Sequence, residues 1–411
     1  MNIDKEYLLN KSKVFCMFPW VHLNVTPKGD IYPCCSNDYS KPYDNAKVVS
    51  LKDAFNSDKM KQLRLDMLNE KTSDICTFCY KHEEAGPYSF RNYSKEQFAK
   101  HFDEIVPTTT EDGTVPEFKM RYFDVRFSNI CNLKCRTCGS EFSSSWGMEM
   151  NKNYDSTHPV LIQADDGKGK LLEEVLSHIP HIDLAYFAGG EPLITEEHYI
   201  MLEEMIRLGR TDVVLRYNTN ASNIKYKDRD ILDLWKNFKR IELSCSIDHY
   251  GERAEWLRHG ADWGKIESNL LKFRELDYVS FQLNTVFSLF NYSTLGEFYQ
   301  YLKDKGIIRT EDWYHSLYLA VHPSYYSAKS LPKKLKLEAE RKALQWANAN
   351  AGDHTCIPNL VFDAVNFARD TDSWKDNSEK FLQHTRSIDR IRDENFWKVF
   401  PELVELQTLM E

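Results

Sequence analysis

Strands that alternate with helices over residues 119–326 constrain the fold of this 411-residue chain more than any other feature. The predicted strands are residues 121–128, 183–188, 212–217, 240–247, 279–287 and 316–321, and the clearest predicted helices are residues 196–208, 228–238 and 265–273. This alternation predicts an α/β fold with a parallel sheet and crossover helices. Six such units predict a partial (β/α)6 barrel, because a complete eight-unit barrel needs about 250 residues.

The sequence on either side of this region predicts three further segments. Residues 1–103 form a cysteine-rich N-terminal domain, which includes a helix-like stretch at 51–68. Residues 104–118 are rich in Pro, Gly and Thr without an apolar period, which is typical of a linker. The barrel is assigned residues 119–330, and residues 331–411 are expected to form a polar, helical C-terminal extension.

Charge and composition disfavour several classes of function. The formal net charge is −9, from 53 basic and 62 acidic residues, whereas a protein that binds nucleic acid through charge shows a basic excess. No stretch approaches the ~18 apolar residues of a transmembrane helix, and we expect no signal peptide. We therefore expect a cytoplasmic protein without a membrane partner, for which nucleic acid is a disfavoured ligand.

The ten cysteines are clustered, and only Cys245 and Cys356 stand alone. Because the cytosol keeps thiols reduced, clustered thiols indicate metal or redox chemistry instead of a disulfide framework. Cys131, Cys135 and Cys138 form a C-x3-C-x2-C pattern directly after the first predicted barrel strand. Loops at that end of parallel strands build active sites, and three thiolates can hold a [4Fe–4S] cluster with one iron left open. A structural zinc site is the alternative, although such sites use four ligands and typically C-x2-C pairs.

This arrangement resembles the radical S-adenosylmethionine (SAM) enzymes, whose hallmark is the same three-cysteine pattern after the first strand of a partial barrel. Gly189, Gly190 and Glu191, followed by a proline at the end of the second predicted strand, are similar to the family's G-G-E-P element. The resemblance implies that this element contacts the methionyl amino group of SAM. Two glycines let the backbone approach a ligand closely, and a carboxylate accepts hydrogen bonds from an ammonium.

Further elements similar to those of the family follow in order along the chain. Asn220 ends a segment similar to its T-N element, and Ser246 lies in one similar to its S-[IL]-D element, which is implicated in ribose contact. Arg258 falls where related enzymes carry an arginine that pairs with the SAM carboxylate, a role that suits a bidentate guanidinium. Asn284 on the fifth predicted strand is a further predicted SAM contact. Thr137 stands where the family usually has an aromatic residue, so only a backbone contact to adenine is expected there.

The N-terminal cysteines form a second group. Cys16 and Cys34 are spaced C-x17-C with an embedded G-x4-C, and Cys76 and Cys79 follow as C-x2-C. This pattern resembles the twitch module, a half-length SPASM domain, which implies one auxiliary [4Fe–4S] cluster on four thiolates. In most of the family that module follows the barrel, whereas here it precedes it. A zinc ribbon fits the same four cysteines, and Cys35 is a surplus thiol.

The resemblance implies a mechanism that uses SAM and two clusters. The SAM-binding cluster would cleave SAM to methionine and a 5′-deoxyadenosyl radical, which removes a hydrogen atom from the substrate. An external one-electron reductant of the flavodoxin or ferredoxin type would supply the electron. The auxiliary cluster would accept an electron from the substrate. This implies that the enzyme oxidises a small molecule or modifies a peptide. Cys245 and Asp248, at the end of the fourth predicted strand, are the candidate catalytic residues.

Two alternatives stay open on the sequence. The first is a radical SAM enzyme that modifies RNA or a nucleotide precursor, which the net charge disfavours. The second is a non-catalytic protein, either an electron carrier with several iron–sulfur clusters or a zinc-binding interaction protein. A carrier needs a fourth cysteine near residues 131–138, but the nearest, Cys79 and Cys245, lie 52 residues upstream and 107 residues downstream.

Overall fold

The computed structural model describes residues 3–154, 157–167, 169–312, 314–352, 356–369 and 371–407. Its strands are β1 His22–Val25, β2 Asp30–Tyr32, β3 Asp44–Asn45, β4 Tyr122–Val125, β5 Lys134–Cys135, β6 Leu184–Phe187, β7 Val214–Thr219, β8 Lys225–Tyr226, β9 Arg229–Asp230, β10 Ile241–Ser246, β11 Arg258–His259, β12 Val279–Phe287 and β13 Ser316–Leu319. Its helices are α1 Lys5–Asn10, α2 Phe18–Val21, α3 Leu51–Phe55, α4 Asp58–Leu68, α5 Thr77–Glu84, α6 Phe90–Phe98, α7 Phe102–Ile105, α8 Ser144–Asn153, α9 Lys170–Ser177, α10 Glu196–Arg207, α11 Ile231–Trp235, α12 Gly251–Leu257, α13 Trp263–Arg274, α14 Leu295–Asp304, α15 Lys333–Ala349, α16 Ile357–Arg369, α17 Trp374–Arg392 and α18 Phe396–Val399. Within these ranges no helix is both long and apolar enough to cross a membrane.

The chain divides into two compact units, of which the first comprises Met1–Asn129, Leu161–Arg216 and Asp233–Arg240. In this unit β1 and β4 pair in parallel, as do β4 and β6, while β2 pairs antiparallel with β1 and β3 pairs antiparallel with β2. Leu23 and Val25 alternate with polar residues along β1 and are fully buried. Because side chains two apart share one face of a strand, this face supplies part of the core.

The first unit does not end at the predicted boundaries of 103 and 118. Strand β1 of the cysteine-rich segment lies directly beside β4, with Leu23 opposite Phe123. The predicted linker is also tied down, because the fully buried guanidinium of Arg64 donates to the carbonyls of Pro19 at 2.8 Å and Gly113 at 3.1 Å. The structure therefore places the cysteine-rich segment, the predicted linker and the first barrel strand in one compact unit. The predicted boundaries at 103 and 118 remain predictions about functional modules.

The second unit comprises Ile130–Val160, Tyr217–Leu232 and Ile241–Glu411. Strands β10, β12 and β13 pair in parallel, and helices α12 to α14 lie between them along the chain. The C-terminal part is helical, and its first helix contacts α14 closely at Gly296. A Cβ atom at Gly296 would lie 2.6 Å from the Cβ of Trp346, so the absence of a side chain allows this approach.

This architecture confirms the predicted α/β class with a parallel sheet and a helical C-terminal region, and it is consistent with a partial (β/α)6 barrel. All six predicted barrel strands are present, with bounds that differ by one to three residues where they differ. The helix-like stretch expected at 51–68 consists of two helices, because α3 ends at Phe55 and the backbone is extended at Ser57 before α4 begins. The helix expected at 228–238 is shorter, since residues 229–230 pair with 225–226 as a small hairpin before α11 begins.

Candidate functional site

The loop that holds Cys131, Cys135 and Cys138, called the three-cysteine loop below, comprises residues 131–138. It lies in the second unit and leads into α8. Part of the loop forms β5, which pairs antiparallel with β11 so that Cys135 lies opposite Arg258. The indole Nε1 of Trp146 donates to the Cys135 carbonyl at 2.8 Å, and the Ser145 hydroxyl donates to the Cys131 carbonyl at 2.8 Å. The loop is thus held by β11 on one side and by the first turn of α8 on the other.

The thiols of this loop have the chemistry of cluster ligands. Cys131 and Cys135 are half-buried and Cys138 is exposed. Burial raises the pKa of the Cys135 thiol, while the Arg258 guanidinium, whose Nη1 lies 3.8 Å from Sγ, acts to lower it. Thiols lose their protons when they bind a metal, and a neighbouring cation stabilises the resulting negative charge. Three thiols beside the half-buried cation of Arg258 therefore fit an iron–sulfur cluster.

Arg258 is held in place by Asp248. Its Nη2 lies 2.9 Å from Oδ2 of Asp248, whose Oδ1 accepts the backbone N–H of Val286 at 2.8 Å. Burial acts to lower the pKa of Arg258, but the Asp248 carboxylate and the Cys135 thiol outweigh it, so the pKa is raised and the side chain stays charged. The Nε atom of Arg258 is buried without a hydrogen-bond partner among the residues described. One donor of a fixed guanidinium is therefore left for a ligand.

Two predicted SAM contacts are amides that already make hydrogen bonds. Asn220 donates from Nδ2 to Oδ1 of Asn132 at 3.1 Å, and its own Oδ1 accepts the backbone N–H of Ser222 at 2.9 Å. Because Asn132 belongs to the three-cysteine loop, Asn220 supports that loop. Asn284 donates to Oδ1 of Asn218 at 3.2 Å, whereas its Oδ1 is buried and unpartnered in the described part of the chain.

The other predicted residues of the second unit lie on β10 or within the loop. Cys245 is fully buried opposite Leu283, and the half-buried Ser246 lies opposite Asn284. Thr137 is half-buried between the second and third cysteines of the loop. Their roles toward substrate, ribose and adenine stay predictions.

The G-G-E-P element lies in the first unit, directly after β6. Gly189 has a φ of +82°, and a Cβ atom there would lie 2.7 Å from Cδ of Arg126, so a side chain would be both strained and crowded. Gly190 also has a positive φ, of +55°. Glu191 is buried, and its carboxylate accepts the backbone N–H of Leu193 at 3.1 Å. The backbone path alone accounts for glycine at both positions.

The four auxiliary cysteines also lie in the first unit, where they come from different elements. Cys16 precedes α2, Cys34 follows β2, Cys76 ends a 3-10 turn and Cys79 lies in α5. Cys16, Cys34 and the pair formed by Cys76 and Cys79 are distant in sequence, so the tertiary structure brings these thiols close enough to interact.

The thiols of this group are close enough for their charges to interact. Burial is the main cause that raises the pKa of Cys16, to about 11, and of Cys34 and Cys76, while neighbouring thiols raise the last two further. Within the described ranges, no three His, Cys, Asp or Glu side chains are arranged to hold a single metal ion. Four thiolates on a [4Fe–4S] cluster bind four different irons, and these four thiols supply that donor set.

The residues of the C-terminal extension that hold the three-cysteine loop were not predicted from the sequence. Arg136, between the second and third cysteines, contacts Asp389 and Glu394, which lie 253 and 258 residues further along the chain. No motif or spacing connects positions so far apart. An arginine inside a cysteine loop was the one available signal, and it does not identify its partners.

Residues 16–80 match the SPASM family, which is described as an iron-sulfur cluster-binding domain. The match includes the four cysteines of the auxiliary group and supports their predicted iron–sulfur role. It covers less than half of the chain. No curated protein matches the chain.

Three solved structures show a remote likeness to the chain. The structure of anSMEcpe with bound AdoMet is 18% identical with a TM-score of 0.40, over 58% of this chain and 60% of that one. Streptococcus suis SuiB bound to S-adenosylmethionine is 16% identical with a TM-score of 0.38, over 71% of this chain and 64% of that one. SuiB bound to the precursor peptide SuiA is 14% identical with a TM-score of 0.38, over 80% and 69%. The chain thus spans about three fifths of the length of anSMEcpe, and likeness at this level carries no argument about activity, substrate or partners.

Proposed function

We propose that this protein is a radical SAM enzyme with an auxiliary iron–sulfur cluster, which oxidises or otherwise modifies a peptide or small-molecule substrate. The observation that carries the proposal is the three-cysteine loop paired with Arg258, a half-buried cation whose buried Nε has no hydrogen-bond partner among the described residues. The proposed modules are a twitch-like segment at 1–103, a barrel at 119–330 that the segment precedes, and an extension at 331–411.

Cys131, Cys135 and Cys138 would hold the SAM-binding [4Fe–4S] cluster, which when bound supplies one electron and an open iron to SAM. Arg258 would bind the SAM carboxylate through Nε, while Asp248 keeps its Nη2 in place. A guanidinium that is already fixed loses little side-chain entropy when a carboxylate binds, which favours affinity.

The remaining SAM contacts are proposed from the family resemblance and from the structure of each site. The Oδ1 of Asn284 is buried without a hydrogen-bond partner among the residues that the structure describes, which supports a role for Asn284 as an acceptor. The other proposed contacts are Gly189, Gly190, Glu191, Asn220, Ser246 and the backbone of Thr137.

The auxiliary thiols Cys16, Cys34, Cys76 and Cys79 would hold the second [4Fe–4S] cluster. The SPASM match over residues 16–80 supports this assignment. A cluster ligated by four thiolates keeps no open iron, so its proposed use is to accept an electron from the substrate. An external reductant of the flavodoxin or ferredoxin type and a cytoplasmic location complete the proposal.

Two residues are proposed to act near the substrate. Cys245, buried at the end of β10, would donate a hydrogen atom or contact the substrate. Asp248 is the candidate general base, but both of its carboxylate oxygens already have partners, Val286 and Arg258. The geometry supports a positioning role for Asp248 more strongly than proton transfer.

The first experiment is electron paramagnetic resonance of the reduced, anaerobically reconstituted protein with and without SAM. We expect a cluster signal that changes with SAM and that is absent from a Cys131/Cys135/Cys138→Ala variant. A signal that remains in this variant reports the auxiliary cluster. Cys356→Ala, which removes a cysteine outside both groups, is the matched control and should behave like the wild type.

Two results would refute the proposal. A signal indifferent to SAM would favour an electron carrier, and bound zinc in protein purified without air would favour an interaction protein. A SAM-responsive protein that binds RNA with a steep salt dependence would instead move the substrate from peptides to nucleic acid.

A further inference from the structure

The three-cysteine loop contains a fully buried cation, Arg136. Its backbone N–H donates to the carbonyl of Leu257 at 2.8 Å, and its side chain has no solvent exposure. The guanidinium lies over the indole ring of Trp256, 3.7 Å from the ring centroid. A buried guanidinium in this position is costly unless negative charges compensate it.

The compensating charges come from the C-terminal end of α17 and the residues just after it. Nη2 of Arg136 donates to Oδ1 of Asp389 at 2.6 Å and also to Glu394. Nε and Nη1 of Arg136 have no hydrogen-bond partner among the described residues, so these two carboxylates supply its charge-assisted hydrogen bonds.

Both carboxylates are themselves held. Asp389 accepts the indole N–H of Trp256 at 3.2 Å and the backbone N–H of Phe396 at 2.7 Å. Glu394 lies 2.5 Å from Nδ1 of His259, a residue of β11. The network therefore joins the loop, its partner strand β11 and the C-terminal segment.

A second ion pair ties the same loop to α17. Arg392 donates from Nη2 to Oε2 of Glu149 at 2.8 Å, and Lys134 of the loop donates to Oε1 of that carboxylate at 2.7 Å. The Arg392 guanidinium also lies 4.7 Å from the ring centroid of Trp146, whose indole N–H holds the Cys135 carbonyl. Residues on both sides of Cys135 are thus anchored to the end of one helix.

We propose that Asp389 and Glu394 are positioning residues for the three-cysteine loop: through Arg136 they keep Cys135 and Cys138 in the arrangement that binds the [4Fe–4S] cluster. The inference rests on the proposed function for the identity of the cluster. It assigns a role to the C-terminal extension, whose end becomes a structural part of the cluster site although it contributes no ligand.

The test compares Glu394→Gln and Asp389→Asn, which keep side-chain volume and remove one charge each, with the wild type. The matched control is Glu402→Gln, since Glu402 also pairs with a cation of the second unit, Arg253, at 2.9 Å. In protein without cluster, alkylation of Cys135 by iodoacetamide is followed by mass spectrometry. We expect it to accelerate about tenfold in both test variants and to stay unchanged in the control.

The reconstituted proteins give the second readout. We expect the g-values and the midpoint potential of the three-cysteine cluster to shift in Glu394→Gln and Asp389→Asn, and iron loss to a chelator to accelerate about tenfold. Restoring the charge at a changed length, with Asp389→Glu, should recover part of the wild-type spectrum. Arg136→Met would remove the central cation of the network and is the more drastic variant. If it fails to fold, Glu394→Gln and Asp389→Asn still test the positioning role.

The positioning role would be overturned if both test variants had the same alkylation rate, cluster spectrum and iron retention as the wild type. Faster unfolding with an unchanged cluster spectrum would also overturn it, because the network would then only stabilise the fold. Failure of the proposed function is distinguishable, since it appears as a wild-type protein with no SAM-responsive signal, whereas the alkylation rates still test the positioning role.

Discussion

At the scale of single residues, the role proposed for Arg258 is one that lysine could not fill. Its Nη2 is bound to Asp248, and a different atom, Nε, is left for a ligand. Lysine keeps the charge but has only one nitrogen, so Arg258→Lys should weaken SAM binding by about 10- to 100-fold while cluster content stays unchanged. Spectroscopic titration with SAM measures this, and Arg274→Lys, at an arginine paired with Asp312, is the control. Unchanged affinity in Arg258→Lys would show that this residue does not bind SAM.

Gly29 is a second position where one residue type is required. It follows β1 at a φ of +89°, and a Cβ atom would lie 2.5 Å from the carbonyl oxygen of Ala164. Gly29→Ala should lower the free energy of unfolding by about 3 kcal/mol or more, from backbone strain and the clash together. Gly86 has a φ of +101°, and a Cβ atom there would meet no atom of the described residues within 4 Å, so Gly86→Ala should cost only the strain, about 1 kcal/mol. Urea unfolding measures both, and equal losses would show that the contact with Ala164 is relieved at no cost.

At the scale of elements, the segment predicted as a linker is an integral part of the first unit. Arg64 on α4 donates to Phe55 and to Gly113, and its ring contact with Phe55 places the guanidinium 4.1 Å from the centroid. Burial lowers the pKa of Arg64 to about 9, so the side chain remains charged at neutral pH. The side chain supplies hydrogen bonds to the buried backbone carbonyls of Pro19, Phe55 and Gly113.

Arg64→Met should therefore destabilise the protein by about 3 kcal/mol, because several buried carbonyls lose their donor. Urea unfolding followed by tryptophan fluorescence measures the loss, and limited proteolysis should show earlier cleavage within residues 106–116. Lys52→Met, at an exposed position of α3, is the control and should change stability by less than about 0.5 kcal/mol. If Arg64→Met protects 106–116 as well as the wild type does, the segment is held by other contacts.

At the scale of the whole molecule, buried neutral histidines make stability depend on pH. The backbone N–H of Tyr250 donates to Nδ1 of His249, so Nε2 carries the proton and donates to Thr294 at 3.0 Å. Burial lowers the pKa of His249 from 6.5 to about 3, and burial does the same for His198. Because the folded pKa lies below the unfolded one, the stabilisation is complete above pH 6.5 and is lost as the pH falls toward 3.

We expect the free energy of unfolding to fall between pH 6.5 and 5 by at most about 2 kcal/mol for each such histidine. His249→Asn keeps an acceptor for the Tyr250 amide but cannot titrate, so this variant should lose one such contribution to the pH dependence. His158→Asn, at an exposed position, should keep the wild-type slope. Chemical denaturation at pH 7, 6 and 5 provides the measurement, and an unchanged slope in His249→Asn would contradict the assignment.

The sequence by itself determined the α/β class, the six barrel strands and both cysteine groups. These features are local: an apolar period reports one element, and a spacing such as that of Cys131, Cys135 and Cys138 reports one loop. The departures from the sequence prediction are also local and concern where individual helices begin and end. Residues 51–68 form two helices because the backbone is extended at Ser57, with a ψ of 156°, and this interruption does not show in the apolar pattern.

Only the tertiary structure decided which distant residues meet. Arg136 and Glu394 are 258 residues apart, and Arg258 is bound by Asp248 while it also lies beside Cys135. Such pairs depend on which faces of separate elements are buried against one another, and a buried charge takes whichever opposite charge the packing brings within reach. The local sequence does not indicate this choice, because Arg, Asp and Glu side chains lie mostly on solvent-exposed surfaces and no local pattern marks the few that are buried in ion pairs.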